Sequence, residues 1–220
     1  MPLDIDFCPV ELPGHGQRID EAPFTDLGAL AAALQVVLEP LLTVPFAFFG
    51  HSVGACIAFE TARVVRAPDG RPAVHLFVSG RQAPGHGIGD RPVRSLSNRD
   101  LLAMLTMYGS TPAVVMERPE LMAAVLPTLR ADLALVESHR LPAGARLSCP
   151  ITVFGGVDDT IDSTSLQAWS DCTAETFRVH MFPGGHFYLS EAGGALIGEI
   201  VKELRGPASL LAPRLAGAAT

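Results

Sequence analysis

The sequence predicts an α/β fold: a mostly parallel sheet with helices over both faces. Three observations predict it. Short apolar runs of strand length alternate with stretches whose leucines and valines recur every three or four residues. Gly50-His51-Ser52-Val53-Gly54 stands between one such run and a helix-forming stretch. Two later runs end in Gly155-Gly156-Val157-Asp158-Asp159 and Pro183-Gly184-Gly185-His186, glycine-rich turns that place polar side chains at strand ends.

Taken in order, residues 5–12 form an apolar run closed by Pro13-Gly14-His15-Gly16 and read as a buried strand and turn. Leu27, Leu30, Leu34, Val37, Leu38 and Leu41 describe an amphipathic helix with Thr25 or Asp26 as its cap. A strand over 46–49 follows, then the helix that begins beyond Ser52. Further strands are expected over 74–78, 150–154 and 179–182, and Ile197, Ile200, Val201 and Leu204 mark a C-terminal helix. Residues 1–206 therefore read as one domain, and 207–220, small-residue and Pro-containing, as a disordered tail.

One region breaks the alternation. Between residues 89 and 147 only helical signals occur. Ser97-Asn98-Arg99-Asp100 has the form of a capping box ahead of Leu101, Leu102, Leu105 and Tyr108. Pro119 opens a second helix carrying Leu121, Met122, Val125, Leu126, Leu129, Leu133 and Val136. A helical insertion of this kind, about residues 90–147, reads as a lid over the site of a parallel sheet. Met104, Met107, Met116 and Met122 lie in it, which suits either an adaptable wall for apolar ligands or an ordinary helical core.

Composition removes several classes of function. With 48% hydrophobic and 18% charged residues the chain is globular rather than disordered. No apolar run reaches spanning length and no basic-then-apolar leader opens it, so a cytoplasmic protein without a membrane partner is expected. A net charge of −7 argues against nucleic-acid binding. Cys8, Cys56, Cys149 and Cys172 have neither zinc nor redox spacing and read as mostly buried thiols. Between Thr61 and Arg99 stand Arg63, Arg66, Arg71, Arg81, Arg91, Arg94 and Arg99 against Asp69 and Asp90. This is either a solvated arginine surface or a docking face for an acidic macromolecule.

The chemistry starts at Ser52. G-x-S-x-G between strand and helix makes a strained turn that lifts the serine Oγ clear of the backbone, and the N–H of Val53 becomes a donor for a developing oxyanion. The serine needs a base, and the base an orienting carboxylate. Asp158 and His186 both follow a strand and emerge at the same sheet edge as Ser52, in the chain order Ser, acid, His of hydrolases built on this elbow. Asp158 is preferred because it leaves the strand by the shortest turn, with Asp159 and Asp162 as alternatives. His51 neighbours the nucleophile but is held by the elbow. No metal, phosphate-loop or dinucleotide motif occurs, so no cofactor is expected.

These stretches resemble the type II thioesterases, the external editing hydrolases of nonribosomal peptide and polyketide synthases, within the α/β-hydrolase superfamily. The resemblance is carried by Leu12-Pro13-Gly14, Gly50-His51-Ser52-Val53-Gly54-Ala55, Ser79-Gly80-Arg81-Gln82-Ala83-Pro84 and Gly109-Ser110-Thr111-Pro112. It continues through Leu129-Arg130-Ala131-Asp132, Trp169 and Phe182-Pro183-Gly184-Gly185-His186-Phe187-Tyr188-Leu189. It implies a Ser52–Asp158–His186 triad, a helical lid, and an acyl thioester on the phosphopantetheine arm of an acyl or peptidyl carrier protein as substrate. An antibiotic-type biosynthetic pathway and a monomeric enzyme are expected. A cyclising or acyl-transferring enzyme of the same fold, or a weakened carrier-binding homologue, are the alternatives.

The chain departs from the family at His15, where arginine is usual, and at Val53, where methionine is usual. The resemblance also implies a further N-terminal strand ending in a glycine-rich loop that supplies the second oxyanion donor. By that resemblance the chain is expected to lack roughly 25–30 residues of the family pattern, one strand and its crossover.

Overall fold

The computed structural model describes residues 2–85, 95–107, 118–138 and 144–206. Four strands form one parallel sheet in the order β1-β2-β3-β4: β1 (Ala47–His51), β2 (His75–Ser79), β3 (Ile151–Gly156) and β4 (Phe177–Phe182). The register pairs Phe48 with Leu76, Val78 with Val153 and Phe154 with His180. Every residue of the two central strands is buried, whereas β1 and β4 are covered only in part. This is why the middle strands read as continuous apolar runs.

Side-chain alternation divides the core between two faces. Leu76, Val78, Ile151 and Val153 pack with Phe59, Ala55 and Ala58 of α2 (Val53–Val64) and with Trp169. On the opposite face Phe77, Phe154 and Phe182 meet Leu196, Ile200 and Leu204 of the C-terminal helix, Leu189–Arg205. Helix α1 (Leu27–Leu38) sits outside α2 through Leu27, Leu30, Leu34 and Leu38, and Asp26 is its cap, its Oδ1 accepting from the Ala29 N–H at 2.7 Å. Val37 and Leu41, expected on the apolar stripe, are exposed.

Residues 5–12 do not form the expected strand: they run as irregular, mostly exposed chain. Among the described residues no strand pairs with the outer edge of β1, and without a ladder partner residues 5–12 gain no strand hydrogen bonds.

Between β2 and β3 stand α3 (Asn98–Met107) and α4 (Pro119–Ser138). The capping box forms as expected: the Asp100 N–H donates to Ser97 Oγ at 3.2 Å and the Ser97 N–H to Asp100 Oδ2 at 3.3 Å. Leu135 and Val136 of α4 join the core under α1 and α2. Its other half packs Met122, Leu126 and Leu133 with Leu101 of α3, against Val53. Two more helices complete the chain order, the short α5 (Ser163–Gln167) before β4 and the long C-terminal helix α6 (Leu189–Arg205) after it.

Of the four methionines, Met122 is buried in that cluster. The side chains of Met104 and Met107, residue Met116, the 109–112 stretch, Tyr108 and the 207–220 tail lie outside the described residues.

Candidate active site

The elbow forms where the sequence places it. Ser52 sits between β1 and α2 at φ 54° and ψ −117°, the only non-glycine residue with positive φ among those described. Side chains rarely tolerate such a backbone, at a cost of about 1–3 kcal/mol. The two flanking glycines contribute unequally. A Cβ on Gly50 would lie 2.0 Å from the Gly54 carbonyl oxygen, so the turn closes only because that Cβ is absent. A Cβ on Gly54 would meet nothing within 4 Å. The Ser52 N–H donates to the Ser79 carbonyl at 2.8 Å, which ties the turn to the end of β2. Val53 opens α2, where a backbone N–H has no partner within the helix.

His186 Nε2 lies 3.1 Å from Ser52 Oγ, and His186 Nδ1 lies 2.8 Å from a carboxylate oxygen. That carboxylate belongs to Asp159, correcting the expectation of Asp158. The reason is the turn that leaves β3. Beyond Gly156 the Val157 N–H still donates to the Phe182 carbonyl (2.9 Å) and the Asp158 N–H to the Gly184 carbonyl (3.0 Å). The ladder ends at Gly156, and Val157 and Asp158 are the central residues of the turn that the Asp159 N–H closes on the Gly156 carbonyl at 3.3 Å. Asp158 is exposed on that turn, and Asp159, which closes it, meets His186. Asp162 is engaged elsewhere, capping α5 with its Oδ1 accepting from the Ser165 N–H at 2.7 Å.

The Asp159 and His186 side chains are only 1% and 5% exposed. Burial by itself would raise the Asp159 carboxyl, but the hydrogen bond and charge of His186, with hydrogen bonds from the Ile161 N–H and the Thr160 hydroxyl, together hold it below the usual carboxylate range. A buried carboxylate thus faces the imidazole, whose other nitrogen faces a hydroxyl. Such a chain can take a proton from Ser52 as it attacks an acyl carbon. Among the described residues no group of three His, Cys, Asp or Glu side chains is placed to hold a metal ion.

Comparison with known proteins accords with this geometry. The thioesterase domain family matches residues 1–204. The chain is a member of that family. It is 38% identical over 215 residues to the gramicidin S biosynthesis protein GrsT of Aneurinibacillus migulanus, covering 97% of this chain and 83% of the relative. The solved thioesterase RedJ of the prodiginine pathway of Streptomyces coelicolor superposes with a TM-score of 0.80 at 36% identity, over 89% of this chain and 74% of that one. YbtT, a type II thioesterase of the yersiniabactin NRPS/PKS pathway, gives 0.77 at 29%, over 88% and 79%. The protein is thus a hydrolase acting on thioesters, with the α/β-hydrolase fold.

Three residues near the thioesterase's reactive chain were not assigned a role by sequence reasoning. The Ser79 hydroxyl lies 2.8 Å from His51 Nδ1 and 2.6 Å from the Tyr188 hydroxyl, and Gly80 is at φ +56° beside both imidazoles. Ser79, Gly80 and Tyr188 all fall in the stretches that carry the family resemblance, which is the one signal that could have flagged them. Burial holds the His51 imidazole down to about 4, so it stays neutral.

Two motif stretches of the thioesterase far apart in sequence also meet. His15 Nε2 lies 2.9 Å from Asp132 Oδ2, and Thr128 Oγ1 donates to the Gly14 carbonyl at 3.0 Å, so α4 is pinned to the 13–15 turn. The arginines of 61–99 are partly used inside the fold. Arg63 pairs with Glu60, Arg66 closes the end of α2 through the Ala62 and Val65 carbonyls, and Arg71 pairs with Asp69. Arg91 and Arg94 lie outside the described residues.

Proposed function

We propose that this thioesterase is an editing enzyme that releases acyl groups from the phosphopantetheine arm of acyl or peptidyl carrier proteins of a nonribosomal peptide or polyketide synthase. The observation that carries the reading is the Ser52–His186–Asp159 chain, in a protein similar over most of its length to proteins of such pathways.

Ser52 Oγ attacks the thioester carbonyl carbon while its proton passes to His186 Nε2. Asp159 holds the Nδ1–H and so fixes the ring tautomer and favours the imidazolium. The Val53 N–H donates to the oxyanion of the tetrahedral intermediate. Collapse breaks the C–S bond, and His186 returns the proton to the leaving thiolate. Water then repeats the sequence on the acyl-serine, giving the free acid and regenerating Ser52. These steps need no cofactor. Asp158, outside the chain, takes no part.

Helices α3 and α4 act as the lid: their apolar cluster packs against Val53, next to the nucleophile, where an acyl chain has to lie. The enzyme acts as a cytoplasmic monomer with the carrier protein as its partner.

A Ser52→Ala variant is expected to abolish hydrolysis of an acyl-carrier substrate while keeping the fold, and a fluorophosphonate probe to label the wild type at Ser52. Undiminished turnover by Ser52→Ala rejects the mechanism. A lactone or transferred acyl group, in place of the free acid, rejects editing hydrolysis.

A further inference from the structure

Asp159 restrains the His186 ring at one nitrogen only, which leaves open what sets the distance from its other nitrogen to Ser52. His186 lies in the turn between β4 and α6. The Tyr188 N–H closes that turn on the Gly185 carbonyl at 3.1 Å. Tyr188 is 2% exposed, and its ring stacks on Phe182 at the end of β4, with centroids 5.4 Å apart and planes within 8°. Its hydroxyl reaches Ser79 Oγ at 2.6 Å. Ser79 is fully buried, and its carbonyl accepts the Ser52 N–H at 2.8 Å. One residue therefore holds the nucleophile by its backbone and the turn of the base by its side chain.

His51 completes the arrangement. Its Nδ1 lies 2.8 Å from the same Ser79 oxygen, and its ring centroid 5.0 Å from that of His186. Gly80 leaves the space for both rings: a Cβ there would lie 2.7 Å from His51 Cε1 and 3.3 Å from His186 Cε1. We propose that Ser79, with Tyr188 and His51, is a positioning group that sets the Ser52–His186 separation independently of Asp159. They act through Ser52 and His186.

This rests on the thioesterase reading, and its test is read in two ways so that the failures separate. Tyr188→Phe keeps the ring and its stack on Phe182 and removes only the hydroxyl. Tyr188→Phe and Ser79→Ala are each expected to lower kcat on an acyl-carrier substrate roughly tenfold to hundredfold, since small misplacements of reacting groups are costly. KM should stay within about twofold, because the Tyr188–Ser79 hydrogen bond acts on the reacting pair rather than on bound substrate. The double variant should be little worse than the more impaired single, because both break one unit.

The rate of fluorophosphonate labelling of Ser52 should fall in parallel. Labelling without any thioester turnover by the wild type would reject the thioesterase reading alone, and the positioning role is then decided by the labelling rates. Folded Tyr188→Phe with wild-type kcat and labelling overturns the proposal, as do losses that multiply in the double variant. Where Ser79→Ala does not fold, Tyr188→Phe decides the matter.

Discussion

Asp159 Oδ2 lies 2.8 Å from His186 Nδ1, while the neighbouring Asp158 gives its N–H to the Gly184 carbonyl and is exposed to solvent. A single position in the turn after β3 separates the two outcomes. The strand pairing ends at Gly156, the first acidic residue sits in the middle of the turn that follows, and the second closes that turn and meets His186.

This relationship predicts opposite results for two neighbouring substitutions. Asp159→Asn should lower kcat by about 10³–10⁴, because the amide no longer fixes the productive tautomer of the base. Asp158→Asn should leave kcat within about threefold of wild type, as expected for a surface change. Steady-state kinetics of the two variants on one thioester checks both. The reverse ranking would return the acid to Asp158.

The strain at Ser52 predicts a stability effect that runs against activity. Ser52→Gly removes the penalty of positive φ, whereas Ser52→Ala retains it. Both variants should be inactive, and Ser52→Gly should be the more stable by about 1 kcal/mol, the strain relieved being partly offset by glycine's freedom in the unfolded chain. Urea unfolding of the two proteins measures the difference.

The elbow glycines should behave differently from each other. Gly50→Ala drives a methyl into the Gly54 backbone, 2.0 Å away, and should prevent folding or cost more than about 3 kcal/mol. Gly54→Ala meets open space inside the first turn of α2, where alanine is favoured over glycine by about 1 kcal/mol. It should therefore be neutral or stabilising by thermal melting. A symmetric effect of the two would contradict the packing described for the turn.

Two buried histidines set the acid response of stability. Burial holds His51 and His75 down to about 4 from an ordinary 6.5, and the Arg178 charge acts on His75 in the same direction. Between these limits the unfolded chain binds protons that the folded one refuses, so stability rises with pH there. Their contribution is present above pH 6.5 and lost as pH falls through about 4. His15 does not offset this. Burial lowers it, but Asp132 together with the Pro13 and Leu12 backbone raises it on balance, so its contribution is complete below 6.5 and declines only as pH rises beyond. Denaturant midpoints measured from pH 7 to pH 4 should fall steadily, and His75→Gln should flatten the slope. A midpoint independent of pH in that window would show that these imidazoles are not kept neutral by the fold.

Local sequence determined much of this protein. The strand–turn–helix around Ser52, the cap at Asp26, the Ser97–Asp100 box and the helix opened by Pro119 all formed as expected, because each depends on residues within a turn or two. The order Ser, acid, His at one sheet edge was also legible, since parallel strands send their C-terminal ends to one side. What tertiary structure decided was everything set by distant neighbours: that residues 5–12 do not pair with β1, that β3 ends its pairing at Gly156 and the turn after it brings Asp159 rather than Asp158 to His186, and that Ser79 meets Tyr188. Hydrogen-bond partners across a sheet lie tens of residues away, and no local pattern says how far their pairing extends.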